Sequence, residues 1–266
     1  MSTLSRALSD GTVIARRNLL MILRVPELLV NSAVAPIMMT LLFGFIIGGA
    51  IDTPGVGYRE YLMPGIFVQA LLMGAVTTGT AMASDIRSGI VDRLRSMPIS
   101  RSAVLVGRTT SDLANNSLVI LVTAVLGLLV GWRINTSSGD ALLGFALLLA
   151  FAYALSWVMA TIGLAMPVPE VVSNASFTVA IPLGFLSNAY VPLESLPGPL
   201  QVVATWNPIS ALVQATRELF GNAGAEVPPT AWPLQNPVLA TVLWTALLLV
   251  IFVPLAVRQY WRAVSR

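Results

Sequence analysis

The sequence contains no cysteine, no histidine and no lysine, and each absence removes a class of chemistry. Without cysteine or histidine there is no Cys/His zinc site, no thiolate nucleophile and no Ser-His-Asp triad. The lack of cysteine also leaves compartment undefined by any disulfide framework. Without lysine there is no Schiff base and no Walker A lysine, so the chain is not itself a P-loop ATPase. Charge of either sign is scarce: 10% of the 266 residues are charged, against about a quarter in a soluble domain. Catalysis inside the apolar segments would have to rest on carboxylates, and the one beside the interior of such a segment is Glu170. No enzymatic activity is expected.

What the chain has instead is hydrophobic length. Apolar residues make up 56% of the sequence and the mean hydropathy is +0.82. A helix that crosses a bilayer needs roughly 20 mainly apolar residues. Six segments qualify: Leu28–Ile51, Tyr61–Ala83, Leu113–Gly131, Ala141–Ala165, Val171–Tyr190 and Val238–Val257. The expectation is an all-α membrane protein with six transmembrane helices in a single domain over residues 1–266. An even number of spans puts both termini on one side. The first segment starts too late, and is too long, for a cleavable signal peptide. No internal repeat stands out.

The net charge of +3 is carried by arginine alone. These arginines flank the apolar segments rather than forming a nucleic-acid-binding patch, so they report topology. Arg6, Arg16, Arg17 and Arg24 precede the first span. Arg87, Arg93, Arg95, Arg101 and Arg108 follow the second, and Arg258, Arg262 and Arg266 close the chain. Only Arg59, Arg133 and Arg217 fall on the opposite side. The positive-inside rule therefore predicts cytoplasmic termini.

Residues 1–26 carry a separate pattern. At 100° per residue, Arg6, Asp10, Arg17 and Arg24 share one face, and Leu4, Leu8, Ala15, Leu19 and Ile22 gather opposite. This suggests an interfacial helix on the inner leaflet with arginines toward lipid phosphates; a plain charged tail is the alternative. Gly11 weakens the helix, and Pro26 marks the turn into the first span.

The largest cytoplasmic loop, residues 84–108, holds a second pattern. Ile86, Ile90 and Leu94 recur every four residues as an apolar ridge, rimmed by Arg87, Asp92, Arg93 and Arg95. Gly89 permits close backbone approach, Pro98 ends the helix, and Ser100 can cap the next one. A ridge of this kind suits the groove of a cytosolic partner. A solvated positive-inside loop would need the arginines but not the ridge, and that reading stays open.

Residues 191–222 are too apolar for a free loop, and Pro197, Pro199 and Pro208 break them too often for a span. Pro199–Trp206 and Ile209–Phe220 read as two short helices dipping into the outer leaflet. Irregular backbone at that depth must be buried in protein or line a cavity. Arg217 and Glu218 are expected at the outer interface, paired or snorkelling.

Taken together, these segments resemble the ABC-2 type permeases, in their daunorubicin-resistance-like branch. The matching residues are Asp85, Gly89-Ile90-Val91-Asp92-Arg93-Leu94-Arg95 and Pro98, then Phe185-Leu186-Ser187-Asn188, Pro192, Leu196-Pro197, Asn207-Pro208, Arg217 and Gly221. The resemblance implies half of a transporter in a bacterial cell membrane. A coupling helix, here Asp85, Ile86, Arg87, Gly89, Ile90, Asp92, Arg93, Leu94, Arg95 and Pro98, would dock on a separate ABC ATPase. The re-entrant pair, marked by Pro197, Asn207, Pro208 and Arg217, would sit at the outer face. A second permease chain, identical or related, completes the pathway. This chain binds no cofactor of its own; ATP and Mg belong to the partner ATPase. Many relatives carry an acidic or lysine-containing stretch near Asp85, where this chain has Ile86-Arg87-Ser88.

Polar residues within the spans are small. Thr77, Thr78, Ser173, Asn174 and Thr178 could line a path for an amphipathic substrate, or could serve helix packing alone. Tyr58, Tyr61, Trp132, Trp232, Tyr260 and Trp261 read as interface anchors. Uncharged spans suit a drug-like or lipid cargo. Polysaccharide export is the rival, although carbohydrate paths favour aromatic and polar linings. An ion-coupled secondary transporter would bury more carboxylates. A subunit with no transport path is a further alternative.

Overall fold

Hydrocarbon offers a backbone no hydrogen-bond partners, so a chain this apolar must pair its own amides within helices. The computed structural model describes residues 26–48, 55–88, 101–166, 168–224 and 231–264, and among them there are helices and no strand. The expected interfacial helix, and the stretch from Gly89 to Ser100 with its Ile90–Leu94 ridge, lie outside the described residues.

In order, α1 spans Pro26–Leu41 and runs on as a π-helical segment, Leu42–Ile47. Next come α2 (Tyr58–Arg87), α3 (Arg101–Val130), α4 (Ser138–Ala165) and α5 (Pro169–Phe185). A 3₁₀ turn, Leu193–Ser195, precedes α6 (Gly198–Trp206) and α7 (Pro208–Phe220); a short α8 (Trp232–Gln235) leads into α9 (Pro237–Val264). Among the described residues, four helices are long and apolar enough to cross a membrane: α2, α3 from Ser111, α4, and α9 to Tyr260. Shorter apolar helices stand where the first and fifth spans are expected.

Several boundaries differ from the hydrophobic pattern, and three of them shape the site. Helix α2 continues past Ala83 to Arg87, and α3 begins at Arg101 rather than Leu113. Polar residues end a membrane segment but not a helix, because arginine and the flanking Ala and Leu sustain helix well. Helix α5 ends at Phe185 instead of Tyr190, and the chain turns sharply through 186–190.

Helix α2 is the hub. It packs on α1, α3, α4, α5 and α7, and its apolar window is 67% buried, against 17% for α9 at the periphery. Along α5 the buried residues are Val172, Ser176, Ala180 and Gly184, a four-residue spacing that gives one narrow face toward the bundle. The register is antiparallel: Gly184 lies against Gln69, and Val172 against Gly79. Segment 186–190 crosses α2 at Gly65, where any Cβ would collide with the Ala189 backbone.

Most of the expected interface aromatics are internal instead. Tyr58, Tyr61, Trp132 and Tyr260 are buried, and only Trp232 among the described ones is exposed. Trp132, Phe67, Phe145 and Phe220 pack edge-on or tilted, with centroids 4.9–6.1 Å apart. Burying their hydrophobic area in mutual contact anchors α7 to α2, α3 and α4.

Candidate functional site

Helix α2 has polar constellations at both of its ends. At the Tyr58 end, α7 brings in Arg217, whose side chain is 0% exposed. It is paired with protein groups, one of the two arrangements the sequence allowed, and does not snorkel. Its Nε donates to the Tyr61 carbonyl at 3.0 Å, and Nη2 donates to the carbonyls of Asn188 and Ala189 at 2.6 and 3.3 Å. The guanidinium stacks over the Tyr61 ring. The guanidinium thereby satisfies the irregular backbone at 188–189 that no helix can pair.

The same turn is held by neighbouring side chains. Tyr58 Oη donates to the Tyr190 carbonyl at 2.8 Å. Asn188 Nδ2 donates to Gln214 Oε1 at 3.3 Å, and the Asn188 amide donates to Ser210 Oγ at 3.3 Å. Asn207 joins two helices at once. Its Oδ1 caps α7 by accepting from the Ile209 amide at 2.9 Å, and its Nδ2 donates to the Leu183 and Leu186 carbonyls at 2.8 and 2.7 Å. Pro208 follows as the first residue of α7, where a missing N–H costs nothing. Pro197 stands one position earlier relative to α6, as the residue before the helix, and offers no side-chain cap. Beyond α7, Asn222 accepts from Trp132 Nε1 at 2.8 Å and donates to the Arg133 carbonyl at 3.0 Å. The α6–α7 pair is thus pinned to α2, α3 and the 186–190 turn.

At the Arg87 end the groups are charged. Asp85, Ile86 and Arg87 occupy the last turn of α2. Arg87 Nη1 pairs with Glu170 of α5 at 3.3 Å, with both side chains well exposed. Arg108 of α3 reaches across to Asp85 of α2 at 3.9 Å, and its Nε lies 3.4 Å from Asp112, one turn further along α3. The Thr78 hydroxyl faces the Asp112 carboxylate. Both helices that flank residues 88–100 are therefore tied together at their charged ends. Gly89, Ile90, Asp92, Arg93, Leu94, Arg95 and Pro98 lie outside the described residues.

Of the path residues, Thr77, Asn174 and Thr178 are exposed, Ser173 is half-buried and Thr78 is buried. The α2–α5 register places Thr77 near the depth of Asn174. Thr77 and Thr178 turn their hydroxyls back onto the Gly74 and Asn174 carbonyls at 2.6 and 2.7 Å. This satisfies a polar group on an apolar surface.

Sequence reasoning missed Asp112 and Arg108 as interior groups, because it began the third span at Leu113. An i, i+4 Arg–Asp pair opening an apolar helix was the available signal. It also missed Gln69, the carboxamide of the second span.

Similarity to known proteins bears on this architecture. A profile of the ABC-2 type transporter family matches residues 11–220. The chain is 33% identical over 236 residues to the daunorubicin resistance ABC transporter permease protein DrrB1 of Streptomyces coeruleorubidus, covering 88% of this chain and 80% of that protein. It is 24% identical over 231 residues to the probable doxorubicin resistance ABC transporter permease protein DrrC of Mycobacterium tuberculosis, covering 86% and 80%. A putative transport permease, ycf38, of the alga Pyropia yezoensis is 25% identical over 212 residues, covering 77% and 72%.

Proposed function

The chain belongs to the ABC-2 type transporter family, and from that premise we propose that it is the membrane half of an exporter driven by a separate ATPase. It moves an amphipathic, drug-like molecule or a lipid outward across a bacterial cell membrane. One observation carries the reading: the family match covers most of the apolar chain, while the sequence lacks the lysine that a Walker A loop requires. The energy source must then be another subunit. The permeases named for daunorubicin and doxorubicin resistance support a drug-like cargo.

In this reading α1 to α5 and α9 provide six crossings, with both termini cytoplasmic. The arginine distribution supports that orientation. The Arg87 end of α2 then faces the cytoplasm, and residues 84–108 form the contact with the ATPase. Helices α6 and α7 dip into the membrane from the outer face, held there by Arg217 and Asn207. A second permease chain completes the pathway. Thr77 and Asn174, at matching depth, and Thr178, one turn further along α5, are the exposed path residues and the ones the exposure pattern favours.

The test is ATP-driven transport in inside-out vesicles containing the chain and its ATPase. Uptake of a fluorescent amphiphile that requires ATP and both subunits is the expected result. Uptake that follows an imposed proton gradient and ignores ATP would overturn the proposal.

A further inference from the structure

A cleft of about 160 Å³ opens between α1, α2 and α5, walled by Pro36 and Met39, by Ile66 and Gln69, and by Ile181 and Phe185. Ile181 and Phe185 are themselves exposed, so the cleft opens sideways from the bundle. Gln69 is the polar side chain among its walls. It lies eleven residues into α2, roughly 16 Å from the Tyr58 end at 1.5 Å per residue. That is close to the middle of the bilayer in the arrangement proposed above.

Gln69 is 7% exposed, and its Oε1 has no hydrogen-bond partner among the described residues. A buried amide left unpaired in hydrocarbon is costly, and interior polar groups in membrane bundles ordinarily bond across helices. The fold makes room for this one all the same: a side chain at position 184 would collide with Gln69 Oε1, and the residue there is glycine. The cleft is therefore apolar and laterally open, with Gln69 in its wall and the carboxamide oxygen turned against Gly184.

Its size and lining restrict the ligand. A cavity near 150 Å³ accommodates a benzene-sized group, so the cleft takes one ring or short alkyl end of a larger molecule. No charged residue lines it, and an ammonium or carboxylate would enter without a counter-charge. A half-turn of the carboxamide exchanges its donor for its acceptor, so a hydroxyl, which both donates and accepts, can pair with either edge. We propose that this cleft binds an uncharged apolar molecule from the bilayer through a hydroxyl paired with the Gln69 carboxamide. As the entry point for cargo it rests on the exporter reading; as a binding site it does not.

Binding is measured on the full chain in lipid nanodiscs, with para-octylphenol as probe. Its methyl ether and para-octylbenzylamine serve as the capped and cationic controls. The phenol is expected to bind roughly tenfold more tightly than the ether, the worth of one neutral hydrogen bond, and more tightly than the ammonium. Gln69→Leu should abolish the preference for phenol over ether. Ala35→Phe fills the cleft from its exposed rim and should weaken both neutral probes, which keeps the test decisive if the Gln69 variant misfolds. Equal binding of phenol and ether to the native chain, or no effect of either substitution, overturns the proposal. Because the assay contains no ATPase, success here with failed ATP-driven uptake would overturn the exporter reading and leave the site standing.

Discussion

The Arg217 guanidinium carbon lies 3.5 Å from the centre of the Tyr61 ring, while its Nε donates to the carbonyl of the same residue. One residue of α2 thus meets Arg217 through both its ring and its backbone. Two further bonds tie the guanidinium to the 188–189 turn. A lysine has neither the planar face nor the fork of donors that this geometry uses. Arg217→Lys should therefore fail to restore what Arg217→Ala loses. Each substitution should destabilise the detergent-solubilised chain by about 3 kcal/mol, since buried carbonyls are left unsatisfied. Thermal unfolding checks this, and an unchanged midpoint for the lysine variant would contradict it.

Asn207 permits a finer dissection. Asn207→Ser keeps an acceptor that can cap α7 but loses the amide donor to Leu183 and Leu186. Asn207→Ala loses both. The alanine variant should lose about 1 kcal/mol more than the serine variant, the usual value of an N-cap. Hydrogen exchange should localise the shared loss to the end of α5 and the additional loss to the start of α7.

Arg108 stands between two carboxylates on different helices. Arg108→Gln leaves Asp85 and Asp112 to repel each other and should cost on the order of 1 kcal/mol, because the site is partly exposed. Adding Asp112→Asn should recover most of that loss. A double-mutant cycle provides the readout, with additive effects as the contrary result.

The helical, membrane-embedded character of the chain was legible in its hydrophobic runs, and the family in the residue pattern from Asp85 to Gly221. What the runs could not convey was burial. Tyr58, Tyr61 and Trp132 carry the composition of lipid-facing anchors, yet pack inside the bundle. Arg217 was visible as a charge in an apolar stretch, but its partners are backbone carbonyls from 28 to 156 residues away. Hydropathy carries no information about such partners. The same limit hid Asp112, because a window that scores apolar length ends at the first charge. Helix α3 continues through its charges by pairing Arg108 and Asp112 across one turn.

In the proposed exporter a separate motor docks on residues 84–108. The most direct test of that docking is affinity purification of the tagged chain from bacterial membranes in mild detergent, comparing the native sequence with Leu94→Asp. The account predicts a stoichiometric Walker-type ATPase with the native chain and its loss from the variant, because a charge on the apolar ridge breaks the contact. Wild-type chain that purifies without an ATPase, under conditions that preserve other ABC complexes, would contradict it.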